Sequence, residues 1–454
     1  MSTARLVTML RRRRKGVTAP LLPIYDYVID AANGSDLNDG SSAAPWASLS
    51  KIGAGISSAG TVTRVKVVSG TYNKANDFIL LEDAASGSHI DVTFEAGCIM
   101  DGATASAAAN TSGIEANASG STPFTLTVRG NGLIVRNYNY SVSGASPQGI
   151  GWAGPGVVIN VHDVSVSNTI DGVSGHTGGH ANLYNVTVEN CGKWVIANVS
   201  ASTMDCYDCA FRATGTESAG FATDSGSSGL TRFYDCEISC AVNPSTNWEM
   251  NNTEMHRTRF GTLTGSINVV YKSGGPAGVL CEDSFINGRY QLFGAQTFRR
   301  CYGKFSGRVR NDTDVFTMEN SVFVGPATGL PNMFYSNFND GGGARLVLRD
   351  NIFEATSAAA FMSVDATNAG YLVAKASQMF NNVLDGAAAY DADLIAADTG
   401  GTVIVGTVTG DPLIGPANTL VQTDYAFPEG AGSPAENAAT DGGNIGFSDV
   451  DIAA

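Results

Sequence analysis

A short apolar strand, headed by a polar or Asn/Asp-containing pair, returns about every 24 residues through the middle of this chain and restricts its fold more than any other feature. It appears as His162-Asp163-Val164-Ser165-Val166, Tyr184-Asn185-Val186-Thr187-Val188, Tyr207-Asp208-Cys209-Ala210-Phe211 and Tyr234-Asp235-Cys236-Glu237-Ile238. Further copies are His256-Arg257-Thr258-Arg259-Phe260, Cys281-Glu282-Asp283-Ser284-Phe285, Cys301-Tyr302-Gly303-Lys304-Phe305, Glu319-Asn320-Ser321-Val322-Phe323, Arg349-Asp350-Asn351-Ile352-Phe353 and Phe380-Asn381-Asn382-Val383-Leu384. Between their last residues the intervals are 22, 23, 27, 22, 25, 20, 18, 30 and 31. Helical repeats need amphipathic helices at stricter periods, and leucine-rich repeats a leucine ladder; here Gly, Ser, Asn and Thr surround period-two strands. A coil of two or three short strands with variable turns fits such intervals, and its open strand edges are satisfied only by the next coil. The sequence therefore predicts an all-β, single-stranded parallel β-helix, a solenoid over residues 25 to 450, with like residues stacked in ladders.

Composition supports one elongated body. With 54 Gly and 15% charged residues the chain suits short strands and many turns, and 43% hydrophobic residues suffice for a core. Charge is uneven: Arg5, Arg11, Arg12, Arg13, Arg14 and Lys15 give the first twenty residues +6, against 21 basic and 42 acidic residues in the remainder. A body carrying −21 repels phosphate backbones and anionic membranes, so neither nucleic acid nor membrane is an expected partner. No apolar run of signal-peptide type follows the arginines, and no segment approaches the eighteen apolar residues of a spanning helix. Synthesis in a cytoplasm is expected.

Eight cysteines in so long a chain read as buried, reduced thiols; the repeat register sets Cys209 over Cys236 and Cys281 near Cys301. Cys206-x-x-Cys209 lacks the second pair a zinc site needs, and His176 and His180, flanking Gly178-Gly179, read as a polar loop before a metal site. No metal and no cofactor is expected. Nucleophile-elbow, zinc-protease and phosphate-loop motifs are absent.

The register also brings a second strand of successive coils together: Phe221 to Asp224, Trp248 to Asn251, Val269 to Lys272, Arg289 to Gln291, Arg308 to Asp312 and Met333 to Asn337. Stacked, these would form a face of carboxylates, amides and aromatic rings suited to sugars. Glu249 and Asp224 are the candidate carboxyl pair for glycoside hydrolysis, Lys272 and Arg310 the base and carboxylate-holding cation an elimination would need, and Asn251, Tyr271, Tyr290 and Tyr335 the substrate contacts.

The two ends carry their own signatures. Tyr27-Val28, Gly34-Ser35-Asp36, Asn38-Asp39-Gly40, Pro45, Ser48, Ile52, then Val62 to Val68 and Gly70-Thr71-Tyr72 form the first; Trp46, Leu49, Ile52 and Ile56 at helical spacing predict a short cap helix. Asp411-Pro412-Leu413, Asp424 to Phe427, Gly432 to Ala435 and Asn444-Ile445-Gly446 form the second. Both resemble the pectate-lyase-like superfamily of right-handed β-helices, which implies a right-handed coil and four regions: arm 1–24, N-terminal cap 25–75, coils 76–410 and C-terminal cap 411–454. The superfamily includes polysaccharide lyases, glycoside hydrolases, phage tailspikes and inert adhesins, so the fold alone does not choose a function. The Asp36 to Gly40 turn lacks calcium-loop spacing and reads as turn chemistry.

The basic arm, followed by Pro20-Leu21-Leu22-Pro23, resembles that of a phage tailspike or tail-fibre subunit. The resemblance implies a virion protein whose arm docks to tail or baseplate proteins, whose rod meets bacterial surface polysaccharide as a homotrimer, and which binds that polymer and could depolymerise it. A non-enzymatic virion protein and a free polysaccharide lyase or hydrolase are the alternatives.

Overall fold

Each repeat begins with a turn that demands a left-handed residue, which explains its Asn and Asp. In the computed structural model φ is +55° at Asp163, +52° at Asn185, +54° at Asp208, +56° at Asp235, +52° at Asp283, +49° at Asn320 and +55° at Asp350. Asn and Asp tolerate this region better than other side chains. Arg257 and Arg300 occupy it too, at +49° each, and each is clamped to the preceding coil. Arg257 donates twice to Asp235 at 2.7 Å, and Arg300 twice to Asp283 at 2.5 and 3.0 Å.

The structure describes residues 24–409 apart from 105–111, 139–146, 200, 214–219, 224–228, 241–248, 251, 263–267, 271–277, 293–295, 311–314, 326–333, 338–344, 356–361, 364–365, 375–376, 381, 387–391 and 407. The basic arm and the C-terminal signature therefore lie outside the described residues. Of the described strands, 29 hydrogen-bond into one sheet and seven into a second, and the paired strands run parallel from coil to coil. The chain is nearly all β, with a solenoid-like parallel architecture. Two short helices, Ala366–Ala374 and Ala392–Ala397, stand late in the chain, and the first lies between the paired strands Ile352–Ala355 and Val383–Gly386. No helix among the described residues is long and apolar enough to cross a membrane.

Inside the rod one row runs Val166, Val188, Phe211, Ile238, Phe260, Ile286, Gly303, Phe323, Phe353, Leu384. Phe285 and Phe305, the markers expected from sequence, are displaced from it by one and two residues. The row narrows at Gly303, where a Cβ would stand 1.6 Å from the Ile286 carbonyl oxygen, so a large side chain cannot pass. A buried polar ladder follows the turns. Cys209 N–H bonds the Cys236 sulfur at 3.4 Å, Cys236 N–H the Thr258 hydroxyl at 3.4 Å, and Thr258 N–H the Ser284 hydroxyl at 3.1 Å. It resumes from Cys301 to Ser321, Asn351 and Asn382 at 3.1, 3.0 and 3.1 Å. Each side chain accepts a backbone N–H that would otherwise be buried unpaired. Cys209 stacks on Cys236 as the repeat requires, and Cys281, in the adjacent strand row opposite Phe298, lies near Cys301 as expected, with the Cys301 thiol donating to the Cys281 carbonyl at 3.3 Å.

At the N-terminal end two 3₁₀ turns, Leu49–Lys51 and Ala54–Ile56, replace the expected cap helix. Gly53 interrupts it with extended backbone, yet Trp46, Leu49 and Ile52 are buried as their spacing suggested. The Asp36 carboxylate accepts the N–H groups of Ala47 and Ser48 at 3.0 and 2.9 Å and the Ser48 hydroxyl, which ties the turn to the cap.

Candidate functional site

The outer wall of the larger sheet is a continuous ladder. His162, Tyr184, Tyr207, Tyr234 and His256 stack with centroids 4.5 to 5.0 Å apart and planes within 8° of parallel. That spacing is the strand separation itself, about 4.8 Å. Their faces cover one another, which leaves edges and hydroxyls to solvent rather than a ring on which a sugar could lie. The charges beside them are matched as well. Asp205, its side chain 7% exposed, accepts from Arg232 at 3.0 and 3.2 Å and contacts His180 Nε2 at 3.0 Å. Glu254 holds Arg232 at 3.3 Å, and Arg299 spans Glu282 and Glu319 at 3.5 and 3.1 Å. This wall uses its groups on itself.

The seven-stranded sheet differs. Its strands Ile79–Glu82, Ile114–Asn117, Gln148–Ala153, Asp171–His176, Trp194–Asn198, Gly220–Thr223 and Glu249–Met250 stack in that order. One row runs Glu115, Gly151, Ser174, Ala197, Ala222, Glu249, small residues between two carboxylates. A neighbouring row sets Gln148 opposite Asp171 and Asp171 opposite Trp194.

Asp171 is the exceptional group. It is 3% exposed, and its Oδ1 has no hydrogen-bond partner, the one carboxylate oxygen among six such buried atoms in the described residues. Burial pushes its carboxyl up to about 6, against the opposing charge of Lys193 and a backbone N–H of Trp194. Trp194 is half-buried, and no ring stacks on it among the described residues. Lys193 is exposed and makes no ion pair there. Farther along, Ser174 Oγ and His176 Nε2 are 2.8 Å apart, and Asn117 donates to Glu115. Burial lowers His176, which favours its neutral form. His176 and His180 thus face different partners across the glycine turn, and no His, Cys, Asp or Glu group among the described residues is arranged to hold a metal.

The residues singled out from sequence are distributed along the continuation of this side. Glu249 stands opposite Ala222, two positions before Asp224. The strand Asn268–Val270 comes next to Glu249–Met250. Tyr290 lies between Val269 and Gly307, Arg310 opposite Asn337, and Tyr335 opposite Arg308. Asp224, Asn251, Tyr271 and Lys272 fall outside the described residues, as do Arg5, Arg11, Arg12, Arg13, Arg14 and Lys15. Asp171 and Trp194 were not singled out, although a signal existed: Gln148, Asp171 and Trp194 are spaced 23 and 23 residues apart, like the neighbouring repeat markers.

No family model matches the chain, and no curated protein does. Among solved structures a rhamnogalacturonan lyase matches at 14% identity over 78% of this chain and 87% of its own, with a TM-score of 0.28.

Proposed function

We propose that this chain closes into a right-handed parallel β-helix that binds bacterial surface polysaccharide on the outer face of its seven-stranded sheet and cleaves it there. The row Gln148, Asp171, Trp194 carries the proposal: an amide, a buried carboxyl with one unpartnered oxygen and an unstacked indole are the groups that sugar recognition combines. Glu249 stands at the far end of the adjacent backbone row, opposite Ala222. The +6 arm supports mounting on an acidic socket of a virion, with homotrimeric rods side by side.

Incubation with purified capsular and lipopolysaccharide polymers, scored for binding, reducing ends and unsaturated uronates, tests this. Binding with release of reducing ends is expected. An absence of binding refutes the proposal and favours a structural rod, for which the self-matched wall of the larger sheet is the supporting observation. Deletion of residues 1–20 should abolish incorporation into particles and leave the thermal transition of the rod in place.

A further inference from the structure

We infer that Asp171 is the proton donor of this face, delivering a proton from its carboxyl to the glycosidic oxygen of a polysaccharide seated against Trp194. The inference rests on the polysaccharide proposal above and goes beyond it by assigning the catalytic group and the reaction, hydrolysis rather than elimination.

Three observations lead to it. Asp171 Oδ1 is buried with no hydrogen-bond partner among the described residues, and a buried carboxyl oxygen left so is costly unless the group is protonated or meets a ligand. Its neighbours across the sheet are Gln148 on one side and Trp194 on the other, so a ring lying on the indole would bring its linkage beside the acid. Gly192 and Lys193, which precede Trp194, are exposed, so the solvent-facing edge of this row lies beside the indole. The charged group acting directly on Asp171 is Lys193; Gln148 is uncharged, and Glu115 and His176 stand farther along the face. Burial keeps the carboxyl protonated to a higher pH than an ordinary aspartate, as a donor requires.

The step balances with water alone. The Asp171 proton passes to the bridging oxygen, which takes the electron pair of the breaking C–O bond and leaves as a hydroxyl. Water adds to the anomeric carbon and releases a proton to solvent, and Asp171 is reprotonated from solvent. No redox partner or metal enters.

The test compares the full chain with Asp171→Asn and Asp171→Glu on a bound surface polysaccharide, recording reducing ends from pH 4 to 8 alongside polymer binding and the thermal transition. Wild-type release should fall as pH rises past about 6. Asp171→Asn should lose at least about 100-fold while still folding and binding, and Asp171→Glu should recover part of the rate. Activity of Asp171→Asn within about threefold of wild type, a flat pH profile, unsaturated products, or binding without cleavage each overturns the inference and leaves the binding proposal standing. An absence of wild-type binding overturns the polysaccharide proposal itself.

Discussion

Asp171→Asn should make the protein more stable at pH 8 and leave it unchanged at pH 4. The folded-state carboxyl titrates near 6, against an ordinary value of 3.8. Two units at about 1.4 kcal/mol each give roughly 3 kcal/mol. The sign follows from proton binding: between about 4 and 6 the folded state holds the proton more tightly than the unfolded chain, so stability declines as pH rises through that window and is flat above it. The amide, like the protonated acid, keeps one buried polar group short of a partner at every pH, so this cost cancels and about 2 to 3 kcal/mol should remain as net gain at pH 8. Guanidinium unfolding at pH 4, 6 and 8, with equal slopes for both proteins, measures it. A variant less stable than wild type at pH 8, or a difference independent of pH, would refute the reasoning. The same carboxyl that suits proton donation thus weakens the rod at neutral pH, a trade common at functional sites.

Other expectations follow from the ladders. Asn351→Ala removes the acceptor for Ser321 N–H at 3.0 Å and the donor to Met318 O at 2.8 Å, and should cost about 2 to 4 kcal/mol in guanidinium unfolding; a loss under 1 kcal/mol would contradict the ladder. The seven described cysteines are free and buried, so a thiol reagent should label them only on unfolding, and rapid native labelling of more than one of the eight thiols would count against their packing. Asp205→Asn weakens the hold on half-exposed Arg232 and His180 and should change stability by about 1 to 3 kcal/mol without affecting reducing-end release; loss of release would move the site to the larger sheet.

The turns were legible because backbone geometry leaves few choices. A left-handed residue every coil selects Asn and Asp, and Asp163 through Asp350 disclose the coil count wherever that preference holds. Register was less legible, because Phe285 and Phe305 are as apolar as Ile286 and more apolar than Gly303; hydrophobicity could not show that a carbonyl closes the space at Gly303. The cap was recognised from its apolar spacing, but the extended backbone at Gly53 splits it into two turns. Asp171 resembles an ordinary turn acid in Thr169-Ile170-Asp171-Gly172-Val173, and only the neighbouring coils reveal that its carboxyl is enclosed.

The location of the polysaccharide face is tested most directly by tryptophan fluorescence during titration with a surface polymer, wild type against Trp194→Phe. Trp46 and Trp152 are buried, whereas Trp194 is half-buried on the seven-stranded sheet. A saturable change in the wild type that disappears in Trp194→Phe is the expected result. A change of equal size in wild type and Trp194→Phe that persists when Trp248 is also replaced by Phe, or binding that leaves the fluorescence of the wild type untouched, would place the polymer elsewhere.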